Sequence, residues 1–247
     1  MLEWITPTWP APTWVKAATT TRIGGLSLPP FASLNLSLNV GDQPNTVLQN
    51  RQRLRRALSL PSDPQWLHQV HGNHTVVIED PACQATPEGD ALYTEQTQRV
   101  CAIQTADCLP LLLCHRKKQA IAAIHAGWKG LACGIIENAL QKFNCPGHEL
   151  MAWLGPAISP NAFWVQQPVV DCFTQQHAQA YSAFQYHGTK GWLANLYALA
   201  KIRLQQAGIT AVYGGDYCTY TDEKRFFSFR RDHITGRMVT LIWIETN

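Results

Sequence analysis

Five strand-like segments follow one another through the middle of this chain, and their order constrains the fold more than any other feature. They span residues 64–70, 74–79, 99–104, 109–114 and 119–125. Apolar residues at helical spacing occur on either side of this block, at 45–58, 129–143, 168–177 and 195–207. A doubly wound fold would alternate strands and helices strictly. The order therefore favours an α+β fold with mixed β-sheets.

Further strands are predicted near both ends of the chain, at 13–21, 151–154, 226–229 and 238–245. No linker rich in Pro, Gly or Ser and no internal repeat divides the sequence. Apolar residues make up 46% of the chain and charged residues 15%, which excludes a disordered or coiled-coil protein. Residues 1–247 are expected to form a single domain.

Charge and cysteine content indicate where the protein is located and which classes of partner it lacks. A formal net charge of +3, evenly spread, gives no electrostatic footprint for nucleic acid. The N-terminal MLEWITPTWP lacks the basic and apolar regions of a signal peptide, and no apolar run is long enough to span a membrane. We therefore expect a cytoplasmic protein with neither nucleic-acid nor membrane partners. Its eight cysteines are then reduced thiols, available as metal ligands or nucleophiles.

Several well-known catalytic motifs are missing from the sequence. It contains no G-x-x-x-x-G-K-[ST], G-x-G-x-x-G, H-E-x-x-H or G-x-S-x-G. It also lacks His-x-Glu combined with Pro-Cys-x-x-Cys, the zinc signature of cytidine deaminases. Common nucleotide-binding loops and serine hydrolases are thereby disfavoured.

Three residues at the ends of predicted strands are capable of binding a metal: His71 in HQVHG, Cys108 in TADCLP and His125 in AIHAGWKG. Their separations of 37 and 17 residues mean that they can meet only through tertiary folding. Taken singly, each is better explained as a packed core histidine or an inert core cysteine than as a ligand. Together, two imidazoles and a thiolate match a catalytic zinc site with its fourth position open. Such a metal activates bound water or acts as a Lewis acid.

The segment after His125 carries a second signal. A turn at Gly127 and a helix starting near Lys129 and Gly130 would direct backbone N–H groups, with the Lys129 ammonium, at an anion beside the metal. The alternative stays open, in which the glycines only permit close packing and Lys129 is solvated.

Nine segments, taken in order, closely resemble the laccase-domain proteins from about residue 4 to residue 245. They are TTRIGGLSLPPFASLNLS, GDQPNTVLQNRQRL, HQVHG, GDALYT, TADCLPLLL, AAIHAGWKGLACG, AWLGPAIS, CTYTDEKRFFSFRRD and TGRMVTLIWI. This family was formerly called multicopper polyphenol oxidases and is now regarded as purine nucleoside phosphorylases with adenosine deaminase activity. The resemblance implies mixed β-sheets packed together with helices on the outside.

The resemblance also implies a site and a reaction. The family's zinc ligands fall on His71, Cys108 and His125, which are also the expected catalytic residues. The implied partners are inorganic phosphate and a small nucleoside: adenosine, inosine or methylthioadenosine. The candidates for binding phosphate are Arg22, Lys129 and Arg230.

The sequence departs from the family pattern after AWLGP. Ser159 replaces a glycine, Trp164 stands where glutamate is usual, and Gln166 stands where glycine is usual. If that glutamate helps to hold substrate or a neighbouring loop, substrate specificity will differ here, whereas zinc binding is expected to survive.

Three other functions remain open at the level of sequence. A copper phenol oxidase would use the same His and Cys ligands, but the paired His-x-His ligands of multicopper oxidases are absent from the sequence. An amidase that edits peptidoglycan precursors in the cytoplasm would use metal-activated water, or Cys108 paired with His125. A structural-zinc interaction module would need a fourth ligand such as His68, His74 or Cys101. The odd spacing of His68 and His74 from His71 disfavours both.

Overall fold

The computed structural model describes residues 1–79 and 86–246. The strands are β1 Trp4–Ile5, β2 Val15–Thr20, β3 Thr75–Val77, β4 Ala91–Thr94, β5 Val100–Thr105, β6 Leu109–His115, β7 Ile121–Ala126, β8 Leu150–Leu154, β9 Trp164–Val165, β10 Phe184–Tyr186, β11 Trp192–Ala194, β12 Val212–Gly214 and β13 Met238–Ile244. The α-helices are α1 Pro44–Ala57, α2 Trp128–Ala132, α3 Ile135–Phe143, α4 Gln167–Thr174, α5 Leu196–Gln206 and α6 Phe229–Asp232.

The strands form three sheets. A four-stranded antiparallel sheet has the order β1-β2-β13-β5, and a six-stranded sheet has the order β12-β8-β6-β7-β4-β3. The six-stranded sheet is mixed, because β12 runs parallel to β8 and β3 runs parallel to β4 while the inner pairs are antiparallel. A small third sheet has the order β10-β11-β9. The prediction of an α+β fold with mixed sheets is confirmed.

Strand β6 shows how the layers pack. All of its residues are buried, as expected for a strand covered on both faces. Leu111 and Leu113 belong to the core shared with α3 and α5, whereas Leu112 and Cys114 belong to the core shared with the four-stranded sheet. The outer face of the four-stranded sheet is covered by a third cluster that includes Leu54 of α1. The two large sheets therefore pack face to face with helices outside, as predicted.

Residues 64–70 do not form the predicted strand. They make only isolated bridges, Gln65 with Cys101 and His68 with Glu88. The side-chain amide of Gln69 donates to the carbonyl of Gln104 at 2.9 Å and accepts from its N–H at 2.8 Å. A side chain thus takes the place of a neighbouring strand's backbone.

Two further predicted elements are corrected. The helix expected at 129–143 is divided into α2 and α3, because Gly134 has a φ of +84°, outside the helical region. The strand expected at 226–229 is absent, and Ser228 instead caps α6 by accepting a hydrogen bond from the N–H of Arg231. Strand β4 and the short strands β1 and β9 to β12 were not predicted.

The long loop from residue 22 to residue 40 is held by one buried amide on α1. The Asn50 side chain accepts the N–H of Leu26 at 2.8 Å and donates to Ser27 Oγ and to the Asn35 carbonyl. These bonds replace the secondary-structure partners that the loop backbone lacks. Within the described residues, no helix combines the length and the apolar character needed to cross a membrane.

Candidate metal centre

The three ligands predicted from the sequence meet at one point. The ligand atoms of His71, Cys108 and His125 all lie within 4.8 Å of one another. Cys108 Sγ is 3.8 Å from His71 Nε2, and the two imidazole rings meet edge to face with centroids 4.7 Å apart. His125 is buried, Cys108 is half-buried and His71 is exposed. The cluster is therefore reachable from one side.

The β6–β7 hairpin brings two of the ligands together. Cys108 immediately precedes β6, and Pro110 pairs with His125 in β7. Gly127 follows directly and leaves room for the cluster. A Cβ atom there would lie 3.0 Å from Cys108 Sγ and 3.3 Å from His71 Cδ2. Glycine is thus required at position 127 because Cys108 and His71 approach its backbone closely.

One buried carboxylate, Asp90, ties two of the ligands to the sheet. Its Oδ1 accepts hydrogen bonds from His125 Nδ1 at 2.7 Å and from the N–H of His71 at 3.0 Å. Its Oδ2 accepts from the N–H groups of Gly72 at 2.7 Å and Val70 at 3.2 Å. Because Nδ1 of His125 carries the proton, its Nε2 keeps a lone pair for a metal.

Asp90 was not assigned a role from the sequence, although it lies in the GDALYT segment that carried part of the resemblance. Burial favours its neutral acid. The His125 imidazole and the N–H groups of Gly72 and His71 outweigh burial and hold the pKa of Asp90 below its ordinary value. It is therefore an anion beside the cluster.

A second carboxylate, Asp107, holds the turn that presents Cys108. Its φ of +88° is in the left-handed region, which few residues other than glycine adopt. Asp107 Oδ1 accepts from Thr219 Oγ1 at 2.6 Å, and Oδ2 accepts from Ser228 Oγ at 2.9 Å and the N–H of Arg230 at 2.7 Å. The CTYTDEKRFFSFRRD segment thus supports the TADC turn.

The Cys108 thiol and the His125 imidazole shift each other's protonation. Burial raises the pKa of the Cys108 thiol, but the imidazoles of His125 and His71 outweigh burial and lower that pKa below its ordinary value. Burial lowers the pKa of His125, but the Cys108 charge and the hydrogen bond to Asp90 outweigh burial and raise that pKa above its ordinary value. The thiolate that ligates metals is therefore favoured at Cys108, whereas a metal ion must displace the Nε2 proton of His125 when it binds.

The residues fit a tetrahedral metal ion. Zinc bonds of about 2.0 Å to nitrogen and 2.3 Å to sulfur place tetrahedral N and S ligands about 3.5 Å apart. The separation between Cys108 Sγ and His71 Nε2 is 3.8 Å. Within the described ranges this group has three members, so a fourth position is left for water or substrate. His68 and His74 are exposed and Cys101 is buried, and none of them belongs to the group.

A second group, formed by His115, Cys145 and Glu149, also has its ligand atoms within 4.8 Å of one another. Here the histidine has no free lone pair. His115 Nδ1 accepts the N–H groups of Lys117 at 3.0 Å and Lys118 at 2.9 Å, so Nε2 must carry the proton that it donates to Glu149 at 2.9 Å. We assign this group to the support of the turn after β6.

The three ligands line a cavity of about 310 Å³, a volume at the small end for a ligand-binding site. Its other lining residues are Ser37, Asn39, Val40, Leu67, Gln69, Gln104, Thr105, Ala106, Phe229 and Arg237. Phe229 is 52% exposed and gives the cavity an aromatic wall. A larger groove beside α1, about 1030 Å³, includes none of the three ligands.

The basic residues predicted to bind phosphate lie elsewhere. Arg22 donates to the carbonyls of Ala32 at 2.9 Å and Glu223 at 3.2 Å, and Arg230 Nη1 donates to the Trp164 carbonyl at 3.0 Å. The Lys129 ammonium is exposed, 5.8 Å from the centroid of the Trp128 ring. None of the three is among the lining residues of the cavity. Their role in binding phosphate stays a prediction, and Arg237, which was not predicted, lines the cavity.

The residues that depart from the family pattern lie outside the lining of the cavity. The Trp164 ring meets His187 edge to face with centroids 5.4 Å apart. The N–H of Ser159 points at Cys218 Sγ at 3.4 Å, and the Gln166 carbonyl accepts the N–H of Val169. Through its bond to Arg230, Trp164 is linked to the residue whose N–H holds Asp107.

A mixed sheet packed on an antiparallel one, with a His-Cys-His cluster lining a cavity, defines a protein of the laccase-domain class. The sequence profile described as "Multi-copper polyphenol oxidoreductase laccase" matches residues 16–245. The chain belongs to that family.

Named relatives cover the whole chain. It is 47% identical to the purine nucleoside phosphorylase YfiH of Escherichia coli over 244 residues, 99% of this chain and 100% of the relative. It is 48% identical to a purine nucleoside phosphorylase of Pseudomonas aeruginosa over 246 residues, with the same coverage. The crystal structure of a Neisseria meningitidis protein, 44% identical, superposes with a TM-score of 0.94 and covers 98% of this chain and 99% of that one.

Proposed function

We propose that this protein holds zinc on His71, Cys108 and His125 and cleaves purine nucleosides with inorganic phosphate. The names of the full-length relatives support the reaction. The observation that carries the proposal is a three-ligand cluster that faces a small cavity with its fourth position open. Adenosine, inosine and methylthioadenosine are the proposed substrates.

In this reaction a phosphate oxygen forms a bond to C1′ of the ribose while the bond from C1′ to the purine nitrogen breaks. The products are ribose 1-phosphate and the free base, which takes up a proton. Zinc held by His71, Cys108 and His125 would supply Lewis-acid chemistry beside the reacting atoms. Asp90 keeps the His125 ring in one orientation and one tautomer, and the bonds to Asp107 keep Cys108 in place.

Zinc is proposed over copper because of the ligand set. An oxidase with several coppers needs a cluster of histidines, and the sequence contains no His-x-His pair. Within the described ranges, the other metal-capable group has its histidine lone pair occupied. A structural zinc would need a fourth protein ligand, which the described residues do not supply.

The first test is metal analysis of the purified protein, followed by adenosine turnover with and without phosphate. We expect about one equivalent of zinc per chain and release of adenine and ribose 1-phosphate that depends on phosphate. Copper in stoichiometric amount with oxidation of a phenol would instead establish the oxidase. Zinc without nucleoside turnover, together with release of an amino acid from a mis-aminoacylated peptidoglycan precursor, would establish the editing amidase.

Hydrolysis of the adenine 6-amino group is proposed as a second activity of the same site. It replaces the amino group with oxygen from water, and ammonia and inosine are the products. The same zinc-loaded preparation, assayed without phosphate, should release ammonia from adenosine. A cytoplasmic location and the lack of a nucleic-acid partner stay predictions from the sequence.

The exposed ring of Phe229 is expected to stack on the purine. Stacking of a base on an aromatic side chain contributes about 1–3 kcal/mol, and 1.4 kcal/mol corresponds to about tenfold in binding. Phe229→Ala should therefore raise KM for adenosine about tenfold with unchanged metal content, whereas Phe229→Tyr should keep KM within about twofold. An unchanged KM in Phe229→Ala would place the base elsewhere.

A further inference from the structure

We infer that Arg237 is the residue that binds inorganic phosphate in the cavity beside the metal cluster. This inference rests on the proposed phosphorolysis for its role in turnover, but binding of phosphate can be measured without it. Arg237 is the only lysine or arginine among the described residues that line the cavity. Arg22, Lys129 and Arg230 lie outside it.

The guanidinium of Arg237 is oriented and still has N–H groups to donate. Its Nη1 donates to the carbonyls of Thr235 and Gly236, both at 3.0 Å. Nε and Nη2 make no hydrogen bond to the described residues, and no described carboxylate forms an ion pair with Arg237. Two N–H groups of one guanidinium match two oxygens of a phosphate. The backbone carbonyls therefore fix the fork while leaving part of it for an anion.

The charge of Arg237 is half-buried, which strengthens the case for an anion. Burial lowers the pKa of Arg237, and the negative charges of Cys108 and Asp107 only partly offset that effect. Asp107 is already bonded to Thr219, Ser228 and the N–H of Arg230. The thiolate of Cys108 is committed to the metal when the site is loaded. Beyond two backbone carbonyls and the Phe229 ring, whose centroid lies 5.9 Å from Cζ, this half-buried cation has no ion-pair partner among the described residues, and an anionic ligand would stabilise it.

An independent observation in the same cavity also indicates a polar ligand. Thr105 lines the cavity and is only 2% exposed, yet its Oγ1 has no hydrogen-bond partner. The half-buried side-chain amide of Gln104, which lines the same cavity, makes no hydrogen bond to the described residues either. Buried hydroxyls are normally hydrogen-bonded. Beside the free N–H groups of Arg237, the cavity wall therefore contains two polar side chains that have no partner among the described residues.

The test compares Arg237→Gln and Arg237→Lys with Arg51→Gln as a matched control. Arg51 is also partly buried, lies 3.7 Å from the centroid of the Trp66 ring and donates to a loop carbonyl, but it does not line this cavity. Thermal unfolding of each protein is measured with phosphate, with acetate and with chloride at equal ionic strength. Phosphate also stabilises proteins by exclusion from their surfaces, so the difference from the control isolates binding.

We expect phosphate to raise the Tm of the wild type and of Arg51→Gln by more than the general salt effect. Arg237→Gln should show only the general salt effect. In turnover, Arg237→Gln should raise KM for phosphate at least about tenfold while KM for adenosine stays within about twofold. Arg237→Lys keeps the positive charge but not the forked guanidinium. Its phosphate-specific Tm shift and its KM for phosphate should lie between those of the wild type and of Arg237→Gln. It also serves as the test if Arg237→Gln fails to fold.

Three results would separate the outcomes. If Arg237→Gln keeps both the phosphate-specific Tm shift and the wild-type KM for phosphate, the assignment is wrong. If acetate gives the larger Arg237-dependent shift, the site takes a carboxylate and the phosphate assignment is overturned. If the phosphate shift depends on Arg237 while the wild type turns over no nucleoside, the site stands and the proposed phosphorolysis fails.

Discussion

Replacing Cys108 with alanine is expected to leave the purified protein with less than a tenth of an equivalent of metal and to reduce adenosine phosphorolysis by about a thousandfold or more. The thiolate is the one anionic ligand of the cluster, and its loss leaves two imidazoles, of which only His125 is buried. Metal assistance contributes several kcal/mol to the stabilisation of a transition state, which corresponds to about three orders of magnitude in rate. Metal content by elemental analysis and kcat/KM for adenosine check this expectation.

The matched control for this variant is Cys145→Ala, which removes a half-buried thiol from the other group of metal-capable residues. It should keep full metal content and turnover within about twofold, because His115 in that group has no free lone pair. A Cys108→Ala protein that keeps its metal would show that the ion sits elsewhere. A Cys145→Ala protein that loses metal would place an ion in the second group.

Replacing Asp90 with asparagine should weaken metal binding by about 10- to 100-fold and lower the free energy of unfolding by about 2–4 kcal/mol. An amide keeps one oxygen for His125 and the N–H of His71. The other position becomes an NH₂ that faces the N–H groups of Gly72 and Val70, which can only donate. Competition with a metal-binding dye and urea denaturation of the metal-free protein measure the two effects separately.

Glu149→Gln provides the parallel control, because it also removes a carboxylate that accepts a hydrogen bond from a buried histidine. Glu149 is 38% exposed on its side chain and lies outside the three-ligand cluster, so its replacement should leave metal affinity unchanged. Equal losses of metal affinity in the two variants would show that Asp90 acts through general stability and not through His71 and His125.

The fold class was predictable because buried strands are recognisable in the sequence as runs of apolar residues. The runs that became β6 and β7 are buried throughout and apolar except for one histidine each, His115 and His125, as expected for strands covered on both faces. Local interactions that interrupt a predicted strand or helix were harder to anticipate. Whether 64–70 pairs as a strand depends on where the Gln69 amide lies, and the division of 129–143 depends on the φ of Gly134. Short strands such as β9 and β11 contain too few residues to show a periodic pattern.

The convergence of His71, Cys108 and His125 could be anticipated because few residue types bind metals and each of these follows or ends a predicted strand, although 64–70 does not form one. The role of Asp90 could not be anticipated, because nothing in its local sequence indicates that its carboxylate meets His125 and the backbone around His71. The same limit applies to the phosphate site. Arg22, Arg230 and Arg237 have the same side chain, and only the packing decides that Arg237 lines the cavity. Sequence identifies the reacting groups more readily than the residues that orient them.

The way in which the ligands are joined bears on how the protein acquires its metal. Cys108 and His125 meet through the β6–β7 hairpin. His71 is joined to them by Asp90, the residue just before β4, which accepts hydrogen bonds from the N–H of His71 and from His125. Short loops close at lower entropic cost than long ones, so in a refolding chain two ligands meet before the third arrives. Tight retention of an ion would then require the pairing of β4 with β7, which sets Asp90 beside His125 and His71. The metal content of a preparation would therefore report the fraction of chains in which this pairing has formed.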